Sequence, residues 1–347
     1  MKLGVVGAGT IGQLRAESIR GRADLALVGV ADPDLARATA AVAGTGAKAA
    51  GSVDELLALP ALDAVIISSP VQYHEEACLK ALAAGKHVLC EKPLSNSLDS
   101  CRRIVAAADR SGRTLATGFN HRYYPSIKYL KQAIDEGRIG TLNHVRVFGG
   151  HDGLHNFRAD WQFKGPLSGG GAMMDVGIHM TDLARFVAGE VADVYGFADN
   201  RVWNVEDSED NAVAVFRTSS GVPIHYQATW TEWKGYRFFV EAYGDRGMVR
   251  GYYAPMQNLL ITTDRVGGPR KTFRKFYPEI MIREKLKSWT STALLSFREE
   301  LADFVRLVGG DRAVAVADGW SGLRAVEIAD AVYRSTLTRE VVRLAAR

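Results

Sequence analysis

The sequence predicts an α/β plus α+β protein. A doubly wound parallel sheet should occupy residues 1–120, and a second domain on a large, mostly antiparallel open sheet should occupy residues 121–347. Three observations carry this. Over the first 120 residues, short β-rich runs alternate with helical patterns, as they do in βαβ units with right-handed crossovers. Beyond about Asn120 the strands lengthen, cluster and alternate with period two. A glycine turn, Gly7-Ala8-Gly9-Thr10-Ile11-Gly12, follows the first strand directly.

Each element of the first half has its own signal. Residues 3–6 read as a buried strand and 11–19 as the helix after it; 25–31 and 35–43 repeat the pair. Ser52 and Glu55 sit three apart, a capping box for a short helix that Pro60 stops. The apolar run 64–68 reads as an inner parallel strand, 73–84 as a helix ended by Gly85, and 87–90 as the next strand. Ser97 caps a helix to about Arg110, and 114–118 is the last strand. In the second half a helix over 125–136 precedes strands at 143–148, 191–202, 211–217, 222–230, 237–243 and 248–253. Helices over 296–308 and 322–333 close the chain.

Length and charge bound the function. At about 150 residues per domain, 347 residues suggest two domains. An apolar share of 47% with a net charge of only +4 excludes a disordered chain and argues against a nucleic-acid binder. Cys78, Cys90 and Cys101 have no CxxC spacing, so neither a disulfide framework nor a metal site is expected. No apolar run reaches the ~18 residues of a membrane span. The uncharged start after Lys2 superficially resembles a signal peptide, but a strand entering a glycine loop explains it better. The expectation is a cytoplasmic protein with no membrane or nucleic-acid partner.

The glycine turn fits G-x-G-x-x-G, and Asp32 stands 20 residues beyond Gly12 at the end of the second strand, the context a dinucleotide fingerprint requires. Gly7 permits the turn, Gly9 lets backbone approach the pyrophosphate, and Gly12 lets the helix pack closely. The pyrophosphate then sits on the helix N-terminus at Thr10 and Ile11. A carboxylate at Asp32 suits ribose hydroxyls and repels a 2′-phosphate, so NAD is expected over NADP. Glu91-Lys92-Pro93 follows a strand at the carboxyl edge of the sheet, where Lys92 either holds a substrate hydroxyl or simply marks a surface turn. Asp175 and His179 follow Gly169-Gly170-Gly171 with i,i+4 spacing. On a helix they share a face, as an acid–base pair or as a satisfied structural pair.

Together these segments resemble the glucose–fructose oxidoreductase/inositol dehydrogenase (GFO/IDH/MocA) family. The resemblance is carried by the fingerprint with Ala31-Asp32, the Ser69-Pro70 to His74 stretch, Ala84 through Pro93, Gly118-Phe119-Asn120, and Asp175-x-Gly-x-His179. It implies an N-terminal Rossmann domain, a C-terminal open sheet that commonly forms the dimer interface, and a cis Lys92–Pro93 peptide. It matches Lys92, Asp175 and His179 to a catalytic trio. His179 would take a hydroxyl proton, Lys92 and Asp175 would position that hydroxyl, and a hydride would pass to NAD. Ser69, His74, Glu91 and Asn120 match cofactor-lining positions. The implied activity is oxidation of a secondary hydroxyl of a sugar or cyclitol by a homodimer or homotetramer. Alternatives are a nucleotide-sugar or sugar-phosphate ketoreductase, an NAD-assisted glycosidase or epimerase, and a non-enzymatic NAD-sensing regulator.

Substrate choice is the least legible feature. Arg122, Tyr123, His155, Arg158 and Trp161 are the candidates, because an indole suits a sugar's C–H face and Arg grips hydroxyls or anions. His151 and His155 are i,i+4 but flank Gly153 in a loop, a weak basis for a metal. Residues 264–287 hold eight Lys/Arg against three acids, interleaved with Phe273, Phe276 and Tyr277. They read as a lid over a phosphorylated sugar or as a solvated edge.

Overall fold

The protein is described from a computed structural model, which covers residues 1–153 and 159–346. It divides into two compact units. The first comprises Met1–Asn120 with Lys287–Arg324, the second His121–Leu286 with Ala325–Arg347.

In the first unit, β1 (Lys2–Val6), α1 (Thr10–Ile19), β2 (Ala26–Ala31), α2 (Leu35–Val42), β3 (Lys48–Ala50), α3 (Val53–Leu57), β4 (Ala64–Ile67), α4 (His74–Ala83), β5 (His87–Glu91), α5 (Leu98–Ser111) and β6 (Leu115–Gly118) alternate as the pattern requires. The strands lie in the order β6-β5-β4-β1-β2-β3, all parallel, and a two-residue strand, Ala317–Asp318, pairs antiparallel with β6. This is the dinucleotide-binding order, with its switch point between β1 and β4. Local chemistry fixes the helix ends. Ser52 accepts the Glu55 N–H at 3.2 Å, and Ser97 accepts the Ser100 N–H at 3.2 Å. Among the parallel strands of this sheet, the sequence pattern misses β3, whose three residues are too few to show a period.

The second unit contains α6 (Pro125–Asp135), β7 (Leu142–Gly150), the single turn α7 (Gly165–Ser168), α8 (Gly177–Ala188), β8 (Val191–Asp199), β9 (Asn211–Thr218), β10 (Pro223–Thr229), β11 (Arg237–Gly244), β12 (Gly247–Tyr253), β13 (Gln257–Thr263), β14 (Arg270–Phe276) and α9 (Pro278–Lys287). With a terminal strand, Val342–Arg343, they form a nine-stranded sheet in the order β14-β13-β12-β11-β7-β10-β9-β8-terminal strand. Every pair is antiparallel except β7–β10. Helix α8 lies against β7 so closely that a Cβ on Gly149 would stand 2.7 Å from Met180 Cγ.

Two departures from the sequence pattern have physical causes. β14 is exposed at all seven residues, so it has no buried face to print an alternation, and the basic stretch becomes an edge strand followed by α9. Helix α10 (Thr290–Val308), which chain order alone would put with the second half, packs in the first unit. Its Leu301, Phe304 and Leu307 join Leu3, Val5, Ile19 and Ile66 in one core. The long last helix, α11 (Gly319–Thr338), runs through the point where the two units divide.

Candidate active site

In the first unit the site is built at the carboxyl ends of β1, β2, β4 and β5. Gly7 has φ +92°, and a Cβ there would lie 2.7 Å from the Ser69 backbone nitrogen, so any side chain would jam β1 against β4. A Cβ on Gly12 would lie 1.8 Å from the Gly7 carbonyl oxygen, which is why α1 can start so close to the strand. Gly9 differs: a Cβ there would meet nothing within 4 Å. The open space lies beside the first turn of α1, where Thr10 and Ile11 begin the helix and no side chain caps it.

Asp32 ends β2 with both carboxylate oxygens engaged. Oδ2 accepts the Ala8 N–H at 2.7 Å and Oδ1 accepts the Asp34 N–H at 2.9 Å. The residue expected to select the ribose therefore also fixes the glycine turn. At the end of β4, the hydroxyls of Ser68 and Ser69 are buried with no hydrogen-bond partner. Orphaned donors beside an open glycine turn fit a polar ligand running across this edge.

His74 opens α4 fully buried. Its Nδ1 lies 3.0 Å from the Pro93 carbonyl oxygen and its Nε2 2.9 Å from that of Ser69. Burial pushes its pKa down, more than those carbonyls raise it, so the neutral ring donates to one of them and joins the β4 and β5 loops. The Lys92–Pro93 peptide is cis. Glu91 is held from below: its Oε1 accepts Arg15 Nε–H at 2.6 Å, and its Oε2 accepts the Lys92 N–H at 3.2 Å. Arg15 is completely buried on α1, where it also pairs with Glu300 at 2.6 Å and lies 3.8 Å over the Phe297 ring. Asn120 is buried and donates from Nδ2 to Ser296 Oγ at 2.8 Å.

In the second unit, Asp175 lies in the turn just before α8 and His179 in the helix's first turn. Asp175 Oδ2 accepts from His151 Nε2 at 2.7 Å and from the Trp230 indole N–H at 3.1 Å. His151 Nδ1 accepts the Gly153 N–H at 3.0 Å, so its proton is on Nε2, aimed at the carboxylate. The His179 ring stacks on His121 with centroids 3.7 Å apart, and His121 Nε2 is 2.7 Å from the Tyr236 hydroxyl. His121, Trp230 and Tyr236 are additions that sequence spacing did not flag. His151 was noted there only for its distance to His155. A residue 24 or 55 positions from Asp175 leaves no local pattern.

Among the substrate candidates, Arg122 is corrected. It is buried and forks onto Asp182 of α8 at 2.7 and 2.5 Å, with Phe186 beneath it, so its charge is spent inside the fold. Tyr123 is buried and Trp161 half-buried. His155 and Arg158 lie outside the described residues. Among the described residues, no group of three or more His, Cys, Asp or Glu side chains is placed to hold a metal, and no helix is long and apolar enough to cross a membrane.

A glycine turn on a parallel sheet with a carboxylate at the second strand defines a dinucleotide-binding domain. Comparison with known proteins makes the class specific. Residues 1–119 match the GFO/IDH/MocA oxidoreductase family's NAD-binding Rossmann fold, and residues 127–250 match the GFO/IDH/MocA C-terminal domain. The inositol 2-dehydrogenase of Rhizobium meliloti is 27% identical across 99% of both chains. The myo-inositol 2-dehydrogenase of Thermotoga maritima is 29% identical across 99% of this chain and 98% of its own. Among solved structures, the WlbA dehydrogenase from Bordetella pertussis, in complex with NADH and UDP-GlcNAcA, superposes with a TM-score of 0.82 at 25% identity, covering 100% of this chain and 98% of that one. The chain belongs to the GFO/IDH/MocA oxidoreductase family, and NAD is its cofactor.

Proposed function

We propose that the protein is an NAD-dependent dehydrogenase that oxidises a secondary hydroxyl of a cyclitol or sugar, with inositols the first candidates. The observation that carries this is the arrangement around Asp175. A carboxylate oriented by His151 and Trp230 stands four residues before His179, in a chain whose other unit is an NAD domain. The two inositol dehydrogenases matched over their full lengths support the cyclitol reading.

Gly7, Gly9, Gly12, Thr10 and Ile11 would hold the pyrophosphate, Asp32 the adenosine ribose, and Ser69 a further polar group of the dinucleotide. When bound, NAD supplies the hydride acceptor. The remaining chemistry belongs to the chain. His179 takes the hydroxyl proton, Asp175 orients the substrate hydroxyl, and Lys92 favours its deprotonated form. His74, Glu91 and Asn120 act by holding the loops at the sheet edge. Trp161 remains a candidate for contact with the substrate.

The test is NAD reduction followed at 340 nm with inositols, aldoses, sugar phosphates and UDP-sugars. Turnover of at least one inositol or free sugar is expected, and His179→Ala should lower its kcat by about 10²–10⁴. Turnover of UDP-sugars alone would move the assignment to nucleotide-sugar oxidation, as the WlbA likeness allows. NAD binding without turnover of any of them would favour a regulator.

We also propose that the protein is a cytoplasmic homodimer or homotetramer. Its three cysteines are buried free thiols, as a reducing compartment maintains them. The outward face of its large sheet carries exposed Phe197, Val213 and Val215.

A further inference from the structure

Between α7 and α8 the chain passes through Gly169, Gly170 and Gly171 and a turn before it reaches Asp175. Glu209, just ahead of β9, holds that turn. Its carboxylate accepts the Gly171 N–H at Oε2 (2.8 Å) and the Met173 N–H at Oε1 (2.7 Å). Its backbone carbonyl accepts the Ala172 N–H at 3.0 Å, and the Tyr333 hydroxyl donates to Oε1 at 3.1 Å. Three successive backbone donors thus converge on one residue. The approach is so close that a Cβ on Gly171 would lie 1.8 Å from the Glu209 carbonyl oxygen.

The clamp leads directly to the candidate catalytic groups. The Gly171 carbonyl, whose own N–H is bound to Glu209, accepts the Asp175 N–H at 3.0 Å. The Ala172 carbonyl accepts the N–H of Gly177, the first residue of α8, at 2.8 Å. Resting on the reading of Asp175 and His179 as the proton-handling pair, we propose that Glu209 is a positioning residue for both and that its ionisation controls the turn that presents them.

Glu209 is almost completely buried. Burial pushes its pKa up to about 7, against the Met173 and Gly171 N–H groups and the Tyr333 hydroxyl, which pull it down. Among the described residues, Tyr333 on α11 and Tyr226 on β10 are the titratable side chains that face it. Burial raises both phenols, so neither is charged near neutrality. The adjacent Asp210 turns its carboxylate to the N–H groups of Arg201, Val202 and Trp203. As a carboxylate, Glu209 offers acceptor lone pairs to every donor around it. Protonation converts one oxygen into a donor, and one hydrogen bond to the glycine turn is lost.

A carboxyl group whose folded pKa lies above its ordinary value contributes stability that is complete below about 4.5 and lost as pH rises through about 7. The fold thus gives up stability above about pH 7, where the turn is best held.

The deciding measurement needs no substrate. In protein labelled with ¹⁵N-glycine, the Gly171 amide should titrate with a midpoint near pH 7. In Glu209→Gln the titration should vanish, and in Tyr333→Phe, which removes a donor to the ionised form, the midpoint should rise. With the best polyol from the substrate screen, Glu209→Gln should lower kcat about tenfold at pH 8 and leave the KM for NAD unchanged. It should also remove an ionisation near pH 7 from the acid limb of the kcat profile. A Gly171 amide that is flat from pH 5 to 9 in the wild type, or a Glu209→Gln enzyme that keeps the wild-type acid limb, overturns the proposal. If Glu209→Gln does not fold, the midpoint shift in Tyr333→Phe decides, and an unshifted midpoint counts against it. If no polyol is oxidised, the dehydrogenase reading fails while the amide titration still tests the clamp.

Discussion

Asp32 shows at the scale of one residue how a fingerprint position does more than its motif describes. Its oxygens accept the Ala8 and Asp34 N–H groups, so the carboxylate proposed to bind the ribose also holds the glycine turn in register with β2. A 2′-phosphate brought to about 4 Å of that charge meets roughly 4 kcal/mol of repulsion in an effective dielectric near 20, or two to three decades in binding. The wild-type enzyme should therefore prefer NAD to NADP by about 10²-fold or more in kcat/KM. Asp32→Ser should narrow the ratio by weakening NAD use as well as by admitting NADP. Steady-state kinetics with both cofactors checks this, and equal use of the two by the wild type would contradict it. Asp32 was legible in the sequence because its partners are near and its spacing from Gly12 is fixed by one βαβ unit. Glu209 was not, because it meets the Asp175 turn across 36 and 38 positions and carries no motif.

At the scale of elements, the parallel sheet was readable because buried strands and amphipathic helices impress their periods on the chain. β3, β14 and α9 were not, being too short or too exposed for a period to register. The attachment of α10 to the first unit was also illegible, since its core residues and its ion pair with Arg15 meet partners far away in the chain. This guanidinium is wholly buried and binds Glu91 of β5 and Glu300 of α10, so one cation serves two carboxylates. Burial disfavours its charge, but Glu91 and Glu300 outweigh that and raise its pKa further. Removing it strands two acids inside the fold. Arg15→Met should cost about 3–5 kcal/mol in urea unfolding. Adding Glu300→Leu should restore a good part of that, because one uncompensated charge goes with it. A loss under about 1 kcal/mol for the single variant would show that α10 is held by apolar packing alone.

For the whole molecule, the outward face of the nine-stranded sheet is the feature that a lone chain does not explain. The pairing register places Phe197, Val213, Gln227, Phe148, Phe239, Tyr252 and Phe276 in one row across the strands. The next row runs Tyr195, Val215, His225, Arg146, Glu241 and Arg250, with Arg146 and Glu241 paired at 3.1 Å. An antiparallel sheet with one solvated face normally alternates to polar residues there. Here Phe197, Val213, Val215 and Phe276 are each about half exposed, which marks a surface prepared for contact. Nine strands at about 4.8 Å span roughly 38 Å, and six residues along a strand about 20 Å. That is on the order of 800 Å² on each partner, the size of a standard stable interface. On the proposed homo-oligomer, a second copy of the same sheet related by a two-fold axis would supply a matching apolar row. Light scattering coupled to size exclusion should therefore give a mass two or four times the 37.8 kDa chain. Val213→Asp with Val215→Asp places two carboxylates in that contact and leaves the opposite, α8-covered face untouched. The double variant should run as a 37.8 kDa monomer with a folded circular-dichroism spectrum. A monomeric wild type, or a double variant that assembles as the wild type does, would remove this face from consideration and leave its exposed apolar residues without a partner of the same chain.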